Sequence, residues 1–441
     1  MKRIFTTIAI FASVALATAQ TMTMDECMAY AVEHSVTVAK QENSLDNAGM
    51  AYKQSVAALF PSLSAGVSAA ANSGRSIDPE TNSYTTVSTF SNSYDIGASM
   101  PLFAGLRYVN SIRAAKVARD RGYSELQIAR DRVAIEVMRV YADVVYYKEA
   151  VKIAQEQLSA SRKTLRQAQK LYELGRKSAA EVAEVASQEA GYDYLLTEQQ
   201  NNLATAYITL REVMNFPQGS ALEVADAGEI LPGQHIASSP ESIMEYALTV
   251  NAQIVASELA VRESRLNHLK AKGAWFPTIN LSGGIGTSYY TNFNSSAYPS
   301  FVSQFKNNFG SYVGVSMSIP IFSNLSRKAS VRSSRNALRN AELELSATRN
   351  AVESEVTQAC RQMEGYGKQF VQAVRKVEAA QLAYNGVAAK FENGLVTAIE
   401  LQMSATALLQ AKSDRLRSRL QYMIEKRLVE YYSGIPLVEV E

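Results

Sequence analysis

The feature that most constrains this chain is a long helical seam that occurs twice. Val133, Val137, Val140, Val144, Tyr147, Val151, Ala154 and Leu158 are alternately four and three residues apart, averaging 3.5. That period keeps the apolar edge of a helix turned towards a partner helix. Adding 219 to each number gives Val352, Val356, Ala359, Met363, Tyr366, Phe370, Ala373 and Val377, the same seam in register. The helical pattern around the first copy runs from about Leu106 to Leu174, about 100 Å at 1.5 Å per residue. No compact domain needs such a helix. A second stripe, Ile135, Met138, Ala142 and Val145, lies beside the first, while Glu136, Arg139, Asp143 and Lys148 occupy the other faces. Two stripes imply a neighbour on each side, as in a wall of helices wet on both surfaces.

The seam belongs to a larger duplication. Tyr30-Ala31-Val32 matches Tyr246-Ala247-Leu248 and Phe60-Pro61 matches Phe276-Pro277, both at an offset of 216 (246−30, 276−60). Pro101-Leu102-Phe103 matches Pro320-Ile321-Phe322, and Tyr172-Glu173-Leu174-Gly175 matches Phe391-Glu392-Asn393-Gly394, both at 219 (320−101, 394−175). Pro217 and Pro436 close the two copies at the same offset. The change from 216 to 219 places three extra residues of the second copy between Pro277 and Pro320, where a loop tolerates them. We expect a first repeat at 20–217 and a second at 241–436. The segment 218–240 between them is rich in Pro and Gly and reads as a linker, and 437–441 is a tail.

Each repeat reads as helix, two strands, very long helix, tight turn and returning helix. Residues 24–57 have a helical period; near 62–72 and 86–101 the period falls to two, with Ile96, Ala98 and Met100 alternating with small or polar residues. The second copy alternates more clearly, at Ile279, Leu281, Gly283 and Ile285 and at Val313, Val315, Met317 and Ile319. Such alternation marks strands with one apolar face. The hairpins are expected at about 62–101 and 278–320, and the long and returning helices at about 105–213 and 324–432. The hairpin tips, 73–85 and 290–307, are rich in Asn, Ser, Thr and Tyr, show no helical period and read as exposed loops.

Lys2 and Arg3, an apolar run from Ile4 to Leu16, and Ala17-Thr18-Ala19 read as a secretory signal peptide spanning 1–19. Cys27 is too far from that site for a lipoprotein. Beyond it, no apolar run is long enough for a membrane-spanning helix, which leaves a soluble, peripheral or β-barrel protein. Cys27 and Cys360 fall in helical segments of different repeats, which argues against a disulfide. His34, His235 and His268 are scattered, and no CxxC, zinc spacing, nucleotide loop or catalytic constellation is present, so no enzyme activity, cofactor or metal is expected. A net charge of +2 without a basic, aromatic-interleaved patch gives no reason to expect a nucleic-acid partner.

Four strands in a bilayer cannot leave their edges unpaired, and they are too few to close a barrel alone, since single-chain barrels begin at about eight. Three copies supply twelve strands and an interior able to admit solutes, whereas two would supply eight, an interior that side chains fill. Phe60, Trp275 and Phe276 precede the rising strands, and Phe103 and Phe322 follow the returning ones. These aromatics suit either an interfacial girdle against outer-membrane lipid or caps over a core.

The doubled order of elements resembles the TolC-like outer-membrane efflux proteins. Pro101-Leu102-Phe103-Ala104-Gly105 matches that family's strand-to-helix junction and recurs more loosely as Pro320-Ile321-Phe322-Ser323-Asn324. Its helix-turn motif is matched by Tyr172-Glu173-Leu174-Gly175-Arg176-Lys177-Ser178 and Phe391-Glu392-Asn393-Gly394-Leu395-Val396-Thr397. The resemblance spans nearly all of the mature chain. It implies a mainly α fold with a small β part: a homotrimeric α-helical barrel continuous with a 12-stranded transmembrane β-barrel, four strands per chain. It also implies a Gram-negative outer membrane, with the helices in the periplasm. The implied partners are a periplasmic adaptor (membrane-fusion) protein and an inner-membrane pump of resistance-nodulation-division or ABC type. The function implied is passive exit of solutes in efflux or type I secretion; an exported coiled-coil structural or adhesive trimer is the alternative.

At the tips, Gly175 and Gly394 suit the left-handed residue that ends a helix. Ser178-x-x-Glu181 and Thr397-x-x-Glu400 read as capping boxes. The functional reading makes Glu400, Glu181 and Glu184 candidate rings of acid at a constriction. In the family an acidic residue at the position of Glu400 helps close the channel with another acid one turn later, where this chain has Met403. Gly175, Arg176, Lys177, Ser178, Ala179, Gly394, Val396, Thr397 and Ala398 are candidate adaptor contacts, with exposed small residues leaving grooves between hairpins. Arg176 and Lys177 either meet acidic groups of an adaptor or are simply solvated.

Overall fold

The structure, a computed structural model, describes residues 20–77, 82–217, 219–226, 239–293 and 298–438. The expected signal segment, the centres of both hairpin tips, most of the linker with His235, and the end of the tail lie outside the described residues. In chain order the elements are β1 Gln20–Met22, α1 Met24–His34, α2 Val36–Ala57, β2 Ser62–Ile77, β3 Tyr84–Phe103, α3 Arg107–Glu173, α4 Ala179–Val213 and β4 Leu222–Val224. Then follow α5 Pro240–Val250, α6 Ala252–Gly273, β5 Thr278–Asn292, α7 Phe301–Asn307, β6 Gly310–Ser318, α8 Ser326–Glu392 and α9 Ala398–Tyr432. The helices repeat in length: 11 residues for α1 and α5, 22 for α2 and α6, 67 for α3 and α8, 35 for α4 and α9. Among the described residues no helix is long and apolar enough to cross a membrane.

The chain divides into two compact units. One, built from 43–124 and 255–347, holds a four-stranded antiparallel sheet in the order β2-β3-β5-β6. The registers Leu63↔Ala98, Ile96↔Ile285 and Leu281↔Val315 align the apolar positions of all four strands on one face. The opposite face carries Ser64, Ser68, Ser93, Ser99, Ser282, Gly284, Gly314 and Ser316 by the same registers. The Ser68 and Ser93 hydroxyls pair across it at 2.8 Å, while Ser73 and Ser88, 2.9 Å apart, lie on the face of Leu63 and Ile96 nearer the tip. β2 and β6 are each paired on one side only. Leu63, Val67, Val313, Val315 and Met317 are exposed on this chain.

Two expectations about the hairpins need correction. The first hairpin continues into its expected tip, with β2 reaching Ile77 and β3 starting at Tyr84, because residues that read as loop by composition still pair through backbone and hydroxyl groups. The second tip is not loop throughout: it contains α7, capped by Ser300, whose hydroxyl accepts from the Ser303 N–H at 3.4 Å. At the strand-to-helix junction Gly105 adopts φ +62°, and a Cβ there would collide with the Gly273 carbonyl and Phe276. Only glycine fits that approach.

The other unit is built from the described parts of 1–42, 125–254 and 348–441. Both seams are substantially buried in it: Val133, Val137, Val144, Ala154 and Leu158 in α3, and Val352, Val356, Ala359, Phe370, Ala373 and Val377 in α8. Met138, Ala142 and Val145 of the second stripe are buried too. At their 219-offset positions α8 carries Thr357, Arg361 and Glu364, all exposed, so the double seam belongs to the first half alone. β1 and β4 form a parallel pair that three-residue segments did not make visible in the sequence. Side chains of α3 hold it: the Tyr141 hydroxyl donates to the Ala225 carbonyl at 3.0 Å, and Lys148 donates to the Val224 carbonyl at 2.8 Å and pairs with Asp226 at 2.8 Å. Cys27 and Cys360 are both free, and burial pushes the Cys27 thiol up to about 12, so it is no thiolate nucleophile at neutral pH.

Candidate functional site

Both tip turns end their long helix in the same way. Gly175 at φ +68° and Gly394 at φ +73° take the left-handed conformation. The Arg176 N–H donates to the Leu171 carbonyl at 2.8 Å and the Gly175 N–H to Tyr172 at 2.8 Å. In the second turn Leu395 donates to Lys390 and Gly394 to Phe391, each at 3.0 Å. This paired bonding absorbs the orphan carbonyls that a helix end leaves.

The starts of the returning helices differ. Ser178 and Glu181 form a complete capping box: the Glu181 N–H donates to Ser178 Oγ at 3.2 Å, and the Ser178 N–H donates to Glu181 Oε2 at 2.8 Å. That backbone bond is the main reason the Glu181 carboxyl lies below the ordinary carboxylate range, with the Lys177 and Ser178 side chains adding to it. In the second turn the Glu400 N–H donates to Thr397 Oγ1 at 3.3 Å. The Thr397 hydroxyl lies 3.4 Å from Glu400 Oε1, but the reciprocal bond from the Thr397 N–H is not made. The expectation of two complete boxes is met in the first half only, which leaves the Glu400 carboxylate exposed and free of the backbone.

The two hairpins of one chain share a core at this end. Ala168, Val185, Phe391, Ala398 and Leu401 are buried together, with Leu165, Val182, Tyr384, Val387, Ala388 and Val396 packed against them. Ala398 is therefore not an exposed small residue, contrary to expectation. Lys177 is not held out to solvent either: its ammonium sits 4.5 Å from the Phe391 ring centroid and 3.1 Å from Glu181 Oε1, and its side chain is only 6% exposed. It links the first turn to the second hairpin. Farther along, Lys412 of α9 meets Glu156 of α3 at 2.8 Å.

Between the turns lies a groove of about 350 Å³ lined by Arg176, Lys177, Glu181, Glu392, Val396 and Glu400, among others. The structure thus brings Glu181 and Glu400 to one groove; Glu184, half-buried, does not line it. Ser178, Ala179 and Thr397 are exposed around it, as are the apolar Leu174, Leu395, Ile399 and Met403. Phe391, central to this site, is marked in the sequence only as the start of the repeated turn motif; its 219-offset counterpart Tyr172 is 50% exposed, whereas Phe391 is 2% exposed.

In the sheet unit, Phe60, Phe103, Trp275, Phe276 and Phe322 are all exposed. The Arg327 guanidinium lies 5.4 Å from the Trp275 ring centroid and donates to the Pro320 carbonyl at 2.8 Å.

The family model described as outer membrane efflux protein matches residues 29–215 and again 243–429. The chain is 22% identical over 323 residues to the outer membrane efflux protein BepC of Brucella suis, covering 71% of this chain and 67% of that one. Among solved structures, the CmeC outer membrane channel of Campylobacter jejuni superposes with a TM-score of 0.82 at 14% identity, covering 93% of this chain and 85% of that chain. The outer membrane protein VceC of Vibrio cholerae does so with a TM-score of 0.79 at 14% identity, covering 93% and 96%.

Proposed function

Since this chain belongs to the outer membrane efflux protein family, we propose that it is the outer-membrane exit channel of a tripartite efflux or type I secretion system, working as a homotrimer. The observation that carries this reading is the sheet. It has one apolar face, one face of Ser and Gly, and two unpaired edges, β2 and β6. In hydrocarbon those edges must find partners, and the β6 edge of one copy facing the β2 edge of the next satisfies both. Three copies make a twelve-stranded barrel with the apolar face towards lipid and the small polar face around a water-filled lumen. The exposed aromatics at the helix-proximal strand ends then form the periplasmic interfacial girdle. Solutes cross passively, and the energy comes from an inner-membrane pump of resistance-nodulation-division or ABC type through a periplasmic adaptor.

The tip supplies the two remaining functions. Three-fold symmetry turns the exposed Glu400 carboxylate into a ring of three that favours cations at the entrance, with Glu181 and Glu184 as further acids. Exposed Arg176, Ser178, Ala179 and Thr397, with Leu174 and Leu395 beside them, give an adaptor hairpin a mixed apolar and polar surface. Gly175 and Gly394 set the turn shape, while Lys177, Val396 and Ala398 support the surface from within.

Single-channel conductance in planar bilayers tests the reading, with wild type beside Glu400→Ala. The expected result is a small, cation-preferring conductance that grows or loses selectivity in the variant. An unchanged pore returns Glu400 to a capping role. No conductance from a well-folded trimer sinks the channel reading and favours a structural one.

A further inference from the structure

The short helix α7 has no counterpart in the first hairpin among the described residues. It packs on the sheet's apolar face. Phe301 and Phe305 set their rings edge-on to Tyr94 at centroid distances of 6.4 and 5.5 Å, and Phe301 meets Tyr289 at 5.3 Å. Tyr94, Thr287 and Tyr289 alternate in register with Ile96, Ile285 and Leu281 and so share their face. Thr287 Oγ1 donates to the Phe305 carbonyl at 2.8 Å.

α7 also completes a strand edge. β6 pairs with β5 only as far as Gly286↔Gly310, leaving the remainder of β5 without that neighbour. There the buried Gln304 accepts from the Tyr290 N–H at 3.0 Å and donates to the Tyr290 carbonyl at 2.8 Å, and Asn308 donates to the Ser288 carbonyl at 2.7 Å. Bare peptide groups at that level are tied off as a low-dielectric surrounding requires.

Edge closure does not need the groups α7 turns outward. Val302 is 61% exposed, and Phe309, two residues past the helix, is 60% exposed, with Phe301 and Phe305 half-covered and Lys306 exposed beside them. The helix has no acidic residue. Its level on the strand is also telling. From Thr278, just after Trp275 and Phe276, to Thr287 is nine residues. That is about 30 Å of strand, or about 23 Å along the bilayer normal at a tilt of about 40°, against an apolar band of about 25 Å. The apolar positions Ile279, Leu281 and Ile285 of β5 lead up to α7, which lies about one membrane thickness from the periplasmic aromatics.

We infer that α7 lies in the outer leaflet's interface, with Val302, Phe305 and Phe309 among the acyl chains and Lys306 at the anionic headgroups, anchoring the channel's outer rim in lipid. The inference rests on the barrel reading above. Aromatic rings with a cationic neighbour and no acid suit that boundary.

The test uses the full-length protein in phosphatidylcholine vesicles containing lipid brominated near the headgroup or near the chain end. Trp275 is the chain's single tryptophan, so Trp275→Phe gives a silent background. Into it go Val302→Trp on α7 and, separately, Val315→Trp on the lipid face of β6. We expect Val302→Trp to emit in the blue and to be quenched severalfold more by shallow than by deep bromine, and Val315→Trp to be quenched by deep bromine. Quenching of Val315→Trp with red, unquenched emission from Val302→Trp overturns the inference while leaving the barrel intact. Blue emission from Val302→Trp without bromine quenching also overturns it, because protein rather than lipid then covers the helix. Failure of both positions to quench removes the barrel reading itself. Should Val302→Trp not fold, Phe309→Trp keeps an aromatic ring and reads the same boundary.

Discussion

The two tip turns share a backbone and differ in what their side chains do with it. Both long helices end on a left-handed glycine with the same pair of closing bonds. Thereafter the first turn draws two of its charged side chains inward: Glu181 onto the Ser178 N–H, and Lys177 onto Glu181 and the Phe391 ring. The second turn buries its aromatic, Phe391, and leaves its acid, Glu400, outside. Two hairpins of equal helix lengths thus differ: one draws Lys177 and Glu181 into a brace, and the other leaves Glu400 exposed. In the proposed channel that asymmetry matters, because a carboxylate locked into a cap cannot also face a permeating ion without giving up a backbone bond.

The largest test of the comparison removes the shared core. Phe391→Ala deletes a ring that is 2% exposed and should cost about 3–5 kcal/mol. Tyr172→Ala, at the equivalent position but half-exposed, should cost well under about 1 kcal/mol. Amide hydrogen exchange across both turns reads the difference; equal loosening in the two variants would mean that the hairpins do not lean on one another through Phe391. Next in size is Lys177→Met, which keeps the stem but removes the ammonium over the ring. A nearly covered cation–π contact is worth about 1–2 kcal/mol, while the ion pair to the part-exposed Glu181 adds little. The exchange should quicken at both turns, whereas the exposed Arg176→Met should change neither.

Much of this molecule was legible because its signals are long. Seams of eight residues cannot arise from a strand or a loop, and their recurrence at one offset fixes the order of the helices. Paired alternation in β5 and β6 gave the sheet one apolar face before any register was known. The turn glycines were legible because only a few residues tolerate positive φ. What escaped was short or depended on distant residues. β1 and β4 have three residues each, and the seven of α7 sit among Ser, Asn and Phe that also read as loop. The burial of Ala398 and the inward turn of Lys177 come from the other hairpin, about as far away in sequence as the repeat is long. Helical periodicity within one segment carries no trace of that contact. The lack of a second seam in α8 could have been read from Thr357, Arg361 and Glu364, had the stripe been carried over position by position.

The smallest effect separates the caps themselves. Ser178→Ala removes a complete box and should cost about 1 kcal/mol, Thr397→Ala a single accepting bond and about half as much. Acid should sharpen the same contrast. Glu181 is held below its ordinary value of 4.5 by the Ser178 backbone bond. Its contribution is therefore complete above that value and is lost as the pH falls through the lowered one. The carboxyl stands partly in water, so the loss is no more than a few tenths of a kcal/mol. The second turn has no carboxylate-to-backbone bond to lose. Protection at 176–182, taken relative to the intrinsic exchange rate at each pH, should therefore fall on acidification, while the cap at 395–401 keeps its Thr397 bond. Glu181→Gln, which keeps an acceptor without the charge, should flatten the acid response of the first turn. If both turns loosen together in acid, the asymmetry of the caps is not what the tips use to hold their shape.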